Sequence, residues 1–437
     1  MNRIPLTMVV STDFAGQVRG KGFPASELDA RLEKGVGWTF TNTMINCFGQ
    51  IPATPWGPRG DLIVVPDPAT EVDVDFGDGS VNERFYLGDI LNMDRQPWDC
   101  CLRSYLRQAL RDLTDLTGLS LVAAFEHEFV HRGQADRLGD AYSQDGVRRI
   151  GEFPEAYLYA LAEAGVEPET FLPEFAPKQF EVTVKPADAL TAADRAVVVR
   201  EIARATAWRM GDTVSFSPVV TRGAAGNGVH LHMSFSDAED KPVTHDADKP
   251  GGLSETAGSF VAGILEALPA LVAVTAPSYM SYERLKPNSW SSSVTNLGYR
   301  DREAAIRICP VSDVPGVDVA SSFNFEFRAG DAAASPYLYF GCLVRAGIDG
   351  IKRQLPTPQP TTSDPAEMDA AARKDHGIVD LPTSLEQALD LLEQHPKGYE
   401  FLPGEMLSAY LMHKRGELSM LEGLDIDEIC RMYAEAY

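Results

Sequence analysis

Ala123-Ala124-Phe125-Glu126-His127-Glu128-Phe129-Val130 sets two carboxylates around an imidazole inside an apolar run. The run predicts a strand. Side chains alternate faces along a strand, so Glu126 and Glu128 share one side and His127 takes the other. Two neighbouring carboxylates repel unless a cation or a shared proton lies between them. An edge strand with a solvated charged face is the other reading of this stretch taken alone. Three later segments repeat the pattern. Gln179, Glu181 and Thr183 alternate with Phe180, Val182 and Val184, with Glu174 just upstream. His230 and His232 alternate with Val229, Leu231 and Met233. Glu326 and Arg328 alternate with Phe325 and Phe327. The apolar sides must pack, so the polar sides are expected to line one concave surface. Carboxylates and a histidine converging there would need divalent cations, and an oxygen-rich set with imidazole suits Mg²⁺ or Mn²⁺ better than structural zinc.

Two other stretches point to anionic ligands. Residues 284–307 hold Arg284, Arg300, Arg302 and Arg307. Guanidinium forks pair phosphate and carboxylate bidentately, whereas a solvated helix surface is the other reading. Gly223, Gly226 and Gly228 stand in the loop before the histidine strand, where backbone N–H groups can approach a ligand or the chain can simply flex.

The chain has 437 residues, 44% hydrophobic, which is enough for a sizeable core and for two unequal domains. Residues 1–100 read as a small β-rich domain. A hairpin is expected over residues 8–13 and 17–20, and strands at residues 61–65 and 84–87. Residues 101–437 mix strands and helices. A capping box at Thr191-Ala192-Ala193-Asp194 predicts a helix over 192–210. The most apolar run, 261–276, contains Glu266 and Pro269 and predicts a core helix rather than a membrane span. The net charge of −24 disfavours nucleic acid and anionic membrane as partners. Six cysteines without metal-ligand spacing, and no signal-like N-terminus, suit a reducing cytoplasm.

In order along the chain, these motifs resemble those of the glutamine synthetase superfamily. Glu126-His127-Glu128 is similar to its paired-glutamate strand, and Glu174-Phe175-Ala176-Pro177-Lys178-Gln179-Phe180-Glu181 to E-x-x-P-G-Q-x-E. Residues 226–234 resemble G-S-G-M-H-x-H-x-S, and Arg284-Leu285-Lys286-Pro287 resembles R-L-x-P. Arg302, Arg307, Glu326-Phe327-Arg328 and Ser335-Pro336-Tyr337-Leu338 follow in the family's order. The resemblance implies an α+β protein: a small N-terminal β-grasp domain, then a catalytic domain on a curved antiparallel sheet. It implies ATP, Mg²⁺ or Mn²⁺, and a homo-oligomer, a dodecamer of two hexameric rings with sites between neighbours. Glu128, Glu174 and Glu181 would hold one metal, and Glu126, His230 and Glu326 another. His232, Arg302 and Arg307 would face ATP. Glu128, Gly226, Arg284 and Arg328 would bind L-glutamate, with Arg302 and Glu326 acting in catalysis. The γ-carboxylate would take the γ-phosphate of ATP, and an amine would then displace phosphate.

The departures concern the amine. The ammonia-using enzymes carry a flap glutamate six residues after the R-L-x-P arginine, where this chain has Trp290. Asn46 and Cys47 stand where a second ammonium-holding acid is expected. Ammonium is strongly hydrated and needs carboxylates to leave water, and an indole makes the site more apolar. Asn324 and Val219 replace residues that are often basic. The reading is a ligase joining the γ-carboxylate of glutamate to an organic amine, alkyl or aryl. An ordinary glutamine synthetase and a silent scaffold homologue are the alternatives.

Overall fold

The strands that carry the charged motifs are neighbours in one sheet. The protein is described here by a computed structural model covering residues 3–133, 139–312, 314–316, 318–363 and 365–437.

Six short strands build the small domain: β1 (Leu6–Thr12), β2 (Val18–Pro24), β3 (Val36–Trp38), β4 (Leu62–Pro66), β5 (Val72–Val74) and β6 (Glu83–Asn92). Their order is β2-β1-β6-β4-β3, with β5 also on β6, and β1 runs parallel to β6. The expected hairpin is β1–β2. Its turn is fastened by Asp13, whose Oδ1 accepts from the amides of Ala15 and Gln17 at 2.9 Å each. Pro66 lies inside β4 rather than after it.

The catalytic sheet comprises β7 (Ser120–Arg132), β8 (Pro168–Pro173), β9 (Gln179–Val184), β10 (Ala187–Asp188), β11 (Thr213–Ser215), β12 (Val229–Ser236), β13 (Leu297–Tyr299), β14 (Ile306–Ile308) and β15 (Phe325–Phe327). Its order is β13-β14-β15-β12-β7-β9-β8, with β10 and β11 also on β7. The sheet is mixed rather than wholly antiparallel, because β13 runs parallel to β14. One face is apolar: Phe125, Phe129, Phe180, Leu231, Phe325 and Phe327 are all buried. Helices Ala189–Arg209, Glu255–Thr275 and Pro336–Lys352 bury most of their residues and share this core. The first of these begins at Ala189, and its cap is Asp188, whose Oδ1 accepts from Thr191 N, so the cap lies three residues before the expected Thr191. Helix Glu255–Thr275 is long and apolar enough to cross a membrane, but 83% of its apolar window is buried inside the fold.

Several side chains join the two domains, among them Thr12, Trp56 and Arg209, and the most buried charged one is Arg103. Arg103 is 2% exposed. Its guanidinium donates to both oxygens of Asp194 at 2.8 Å, to Asp67 at 2.8 Å and to Asp89 at 3.4 Å. Asp67 and Asp89 belong to the small domain's sheet region and Asp194 to the helix behind the catalytic sheet. All six cysteines are free.

Candidate active site

Antiparallel pairing sets residues directly opposite one another, side by side on one face. Here it places Glu181 opposite Glu128, Glu126 opposite His230, and His232 opposite Glu326, which in turn faces Arg307. The charged row therefore crosses four strand boundaries on the face away from the phenylalanines.

The row is densely bonded. His230 Nδ1 lies 2.6 Å from Glu126 Oε1, and His232 Nε2 lies 2.9 Å from Glu326 Oε2. Glu326 also takes Arg307 Nε and Arg328 Nη1, each at 2.6 Å. Burial opposes ionisation of Glu126 and Glu326, but hydrogen bonds from His230 and His232 to Glu126, and the His232 hydrogen bond and the Arg328 charge at Glu326, hold both carboxyls below the usual range. Burial and the nearby Arg328 push His230 down to about 4, which leaves a neutral imidazole. On the other side of β7 no histidine or arginine bonds Glu128 or Glu181 among the described residues. Burial, then the other glutamates, push Glu181 up to about 10. Burial raises Glu128 to about 7, although Gly228 N donates to it at 2.8 Å. Carboxylates forced to hold protons because they crowd together are a donor set that a divalent cation suits: all-oxygen, with one neutral imidazole alongside.

A cavity of about 310 Å³ opens beside this row, lined by Glu126, Glu128, Glu174, Glu181 and His230 on one side and by Arg284, Arg302, Arg328 and Trp290 on the other. Arg328 sends Nε to the carbonyl of Arg302 at 3.0 Å and Nη2 to that of Trp290 at 3.1 Å. A guanidinium has five N–H groups, so one on each Nη remains for a ligand. Arg284 gives Nη2 to the Arg328 carbonyl at 3.1 Å, and its Nη1 is buried without a partner among the described residues. The glycines of the 223–228 loop supply space. A Cβ on Gly228 would sit 2.5 Å from Arg284 Nη2 and 3.0 Å from His230 Nε2, and one on Gly226 would meet Arg284 Cγ at 2.9 Å. The Gly226 carbonyl accepts from Gln179 Nε2 at 2.9 Å.

A second cavity, about 370 Å³, lies along β7 and β12 and shares Glu126 with the first. His232, Ser234 and Asn324 line it. Asn324 Oδ1 lies 3.0 Å from His232 Nδ1, so Asn324 orients that ring. Arg307 lines neither cavity; its Nε forms an ion pair with Glu326. Val219 is buried against Met280 and Tyr433 in a satellite core.

Asn46 and Cys47 do not line these cavities within the chain. Asn46 is fully buried. Its Oδ1 accepts from Phe48 N and Gln50 N at 3.0 and 2.9 Å, and its Nδ2 meets Met420 Sδ at 3.1 Å. Cys47 packs against the C-terminal tyrosine cluster. Sequence patterns missed Tyr142, Phe175 and Glu283, which also line the first cavity. Tyr142 OH donates to Glu174 Oε2 at 3.0 Å.

The family model described as "Glutamine synthetase, catalytic domain" matches residues 99–432, and "Glutamine synthetase N-terminal domain" matches residues 1–98. The chain belongs to the glutamine synthetase family. It is therefore a carbon–nitrogen ligase by descent, with the family's two-domain fold. It is 34% identical to the gamma-glutamylpolyamine synthetase GlnA3 of Streptomyces coelicolor, over 97% of this chain and 92% of that one. It is 31% identical to the glutamine synthetase of Thermococcus kodakarensis, over 91% and 86%. A solved structure described as a novel glutamine synthase homolog superposes with a TM-score of 0.92 at 40% identity, covering 100% of this chain and 99% of that one. In this glutamine synthetase relative the site row, the arginines and the glycine loop come from strands and loops spread over residues 126–328 and meet around Glu126.

Proposed function

We propose that this protein joins the γ-carboxylate of L-glutamate to an organic primary amine at the expense of ATP, releasing ADP and phosphate. The observation that carries the reading is Trp290. The family's ammonia-using pattern has a carboxylate there, and the indole instead lines the acid-walled cavity beside Arg284 and Arg328. Kinship to a gamma-glutamylpolyamine synthetase agrees with an amine other than ammonia.

Glutamate's α-carboxylate is read as the partner of the two free N–H groups of Arg328, with Arg284 beside it and the Gly226 carbonyl near its ammonium. ATP enters from the His232 cavity, so its γ-phosphate and the γ-carboxylate of glutamate meet at Glu126, the residue common to both cavities. Mg²⁺ or Mn²⁺ would be held by Glu128, Glu174 and Glu181 and by Glu126, His230 and Glu326, and would neutralise charge on the transferring group. In the first step a γ-carboxylate oxygen bonds to the γ-phosphorus, and the bond to ADP breaks, with Arg302 facing the developing charge. In the second the amine nitrogen bonds to the γ-carbon, the carbon–oxygen bond to phosphate breaks, and the amine's proton passes to a cavity carboxylate.

A diamine or polyamine is a second reading, favoured by Glu283, an acid on the same cavity wall that would meet a distal ammonium by exchanging it for Lys286 Nζ, which donates to Glu283 at 2.9 Å. The test is direct. Purified protein with ATP, glutamate and each of ammonia, methylamine, butylamine, benzylamine and putrescine is assayed for phosphate release, and the product is identified by mass. A γ-glutamylamide of an organic amine is expected. Absence of any ATP- and glutamate-dependent product would overturn the proposal, and glutamine as the main product would restore the ammonia-using reading.

A further inference from the structure

Two large aromatic side chains stand in the open at the mouth of the acid-walled cavity. Phe175 is 66% exposed and Trp290 56% exposed. Their ring centroids lie 6.1 Å apart, at 33° to one another, and both rings line the cavity. Water-facing apolar area of this size is unfavourable, and paired rings beside a cavity mark a surface that something covers.

The backbone of Trp290 is fastened to distant residues, and that of Phe175 is joined to the carboxylate of its neighbour. Phe175 N donates to Glu174 Oε2 at 2.9 Å, so the ring follows one of the acids read as a metal ligand. Trp290 N donates to Glu303 at 2.6 Å, and its carbonyl accepts from Arg328 at 3.1 Å. The tryptophan has φ +52°, and Asn288 two residues before it has φ +59°, a region that residues other than glycine seldom occupy. Non-glycine residues persist there only when the surroundings fix them. The indole is thus placed relative to the arginine that binds glutamate, and the phenyl ring relative to a cavity carboxylate.

We infer that Phe175 and Trp290 form one apolar wall that selects the amine substrate by its carbon skeleton: a primary amine with an alkyl chain longer than methyl, or with a ring, and no second charge. This rests on the ligase reading and names its substrate class. The amine nitrogen would point to the acids inside, and the carbon body would lie across both rings. A methyl group covers only the facing edges of the two rings, whereas a longer chain or a phenyl ring covers more of both faces. Each methylene moved from water onto the wall should raise kcat/KM by about fourfold, the equivalent of about 0.8 kcal/mol, until the chain passes the rings.

The experiment is the kcat/KM series from methylamine to hexylamine, with wild type, Phe175→Ala and Phe175→Leu, and with hydroxylamine as a separate acceptor that tests activation of glutamate alone. The wild-type series should climb and then level off. Phe175→Ala should flatten it through the amine KM, with a smaller change in the glutamate KM, and Phe175→Leu should keep part of the climb. No hydroxamate from wild type, ATP, glutamate and hydroxylamine would defeat the ligase reading itself. Hydroxamate formation with a flat wild-type amine series would overturn only the wall. So would putrescine outrunning butylamine, which would assign the selectivity to Glu283. An unchanged climb in Phe175→Ala, with a lower light-scattering mass, would assign the rings to a subunit contact instead.

Discussion

Arg328 is the most heavily committed side chain of the site. It joins Glu326, the Arg302 carbonyl and the Trp290 carbonyl, so it links the acid row, the arginine loop and the indole. Lysine offers one ammonium in place of that fork. Arg328→Lys and Arg284→Lys should raise the KM for glutamate by roughly tenfold to a hundredfold, the equivalent of about 1.5–3 kcal/mol for hydrogen bonds to a charged group. Initial-rate kinetics with glutamate varied would check this, and unchanged glutamate kinetics in both variants would remove these arginines from the glutamate site. The acids give a second residue-scale prediction. Glu128 is raised to about 7 and Glu181 to about 10 by burial and by their neighbours, so protons compete with any cation there. Raising pH removes the competitor. Mn²⁺ affinity measured calorimetrically should therefore increase from pH 6.5 to pH 8.5, with protons released on binding, and affinity independent of pH would count against these residues as ligands.

At the scale of the elements, the site depends on how closely the glycine loop, β12 and helix residue Arg284 approach one another. Gly228→Ala would drive a methyl into Arg284 Nη2 and towards His230 Nε2, at 2.5 and 3.0 Å. The chain itself should still fold. Glutamate binding by calorimetry should weaken at least tenfold while circular dichroism stays unchanged, and wild-type affinity would show that the loop can yield without consequence. This also marks what a linear reading can reach. The period-two alternation around Glu126, Glu181, His230 and Glu326 was plain because each strand hides an apolar face, so the charged faces were legible. The order β15-β12-β7-β9 was not, because nothing local in a strand names its neighbour. The parallel β13 was missed for the same reason, its partner being decided by the path of the intervening loop. Tyr142 and Phe175 carry no pattern of their own. They enter the cavity through the bond of Tyr142 OH and the bond of Phe175 N to Glu174, which only the folded loop creates. The resemblance supplied the roles of Arg284 and Gly226, which spacing alone left open.

At the scale of the whole molecule, the domains are fastened in part through Arg103, which is buried against three aspartates. Removing one partner of such a network strands the others in a poor dielectric. Arg103→Ala should cost about 3–5 kcal/mol in urea unfolding, whereas an effect below about 1 kcal/mol would mean that water replaces the guanidinium. Ring assembly belongs to the same scale. Asn46 and Cys47 lie in the small domain, away from their own chain's cavities, so a place beside the amine is open to them only through a neighbouring subunit. If that proposal holds, light scattering should give a large ring as the active species, and an active monomer would refute it. The central claim is the choice of amine, and it is tested most directly by competition. Wild-type protein is given ATP, glutamate and equal concentrations of ammonia and butylamine at one pH, and the two products are counted by mass. Trp290→Glu is run beside it. The account predicts γ-glutamylbutylamide in at least about tenfold excess over glutamine, as a gain of about 1.4 kcal/mol or more requires, and a shift towards glutamine in the variant. Glutamine as the dominant wild-type product would contradict it.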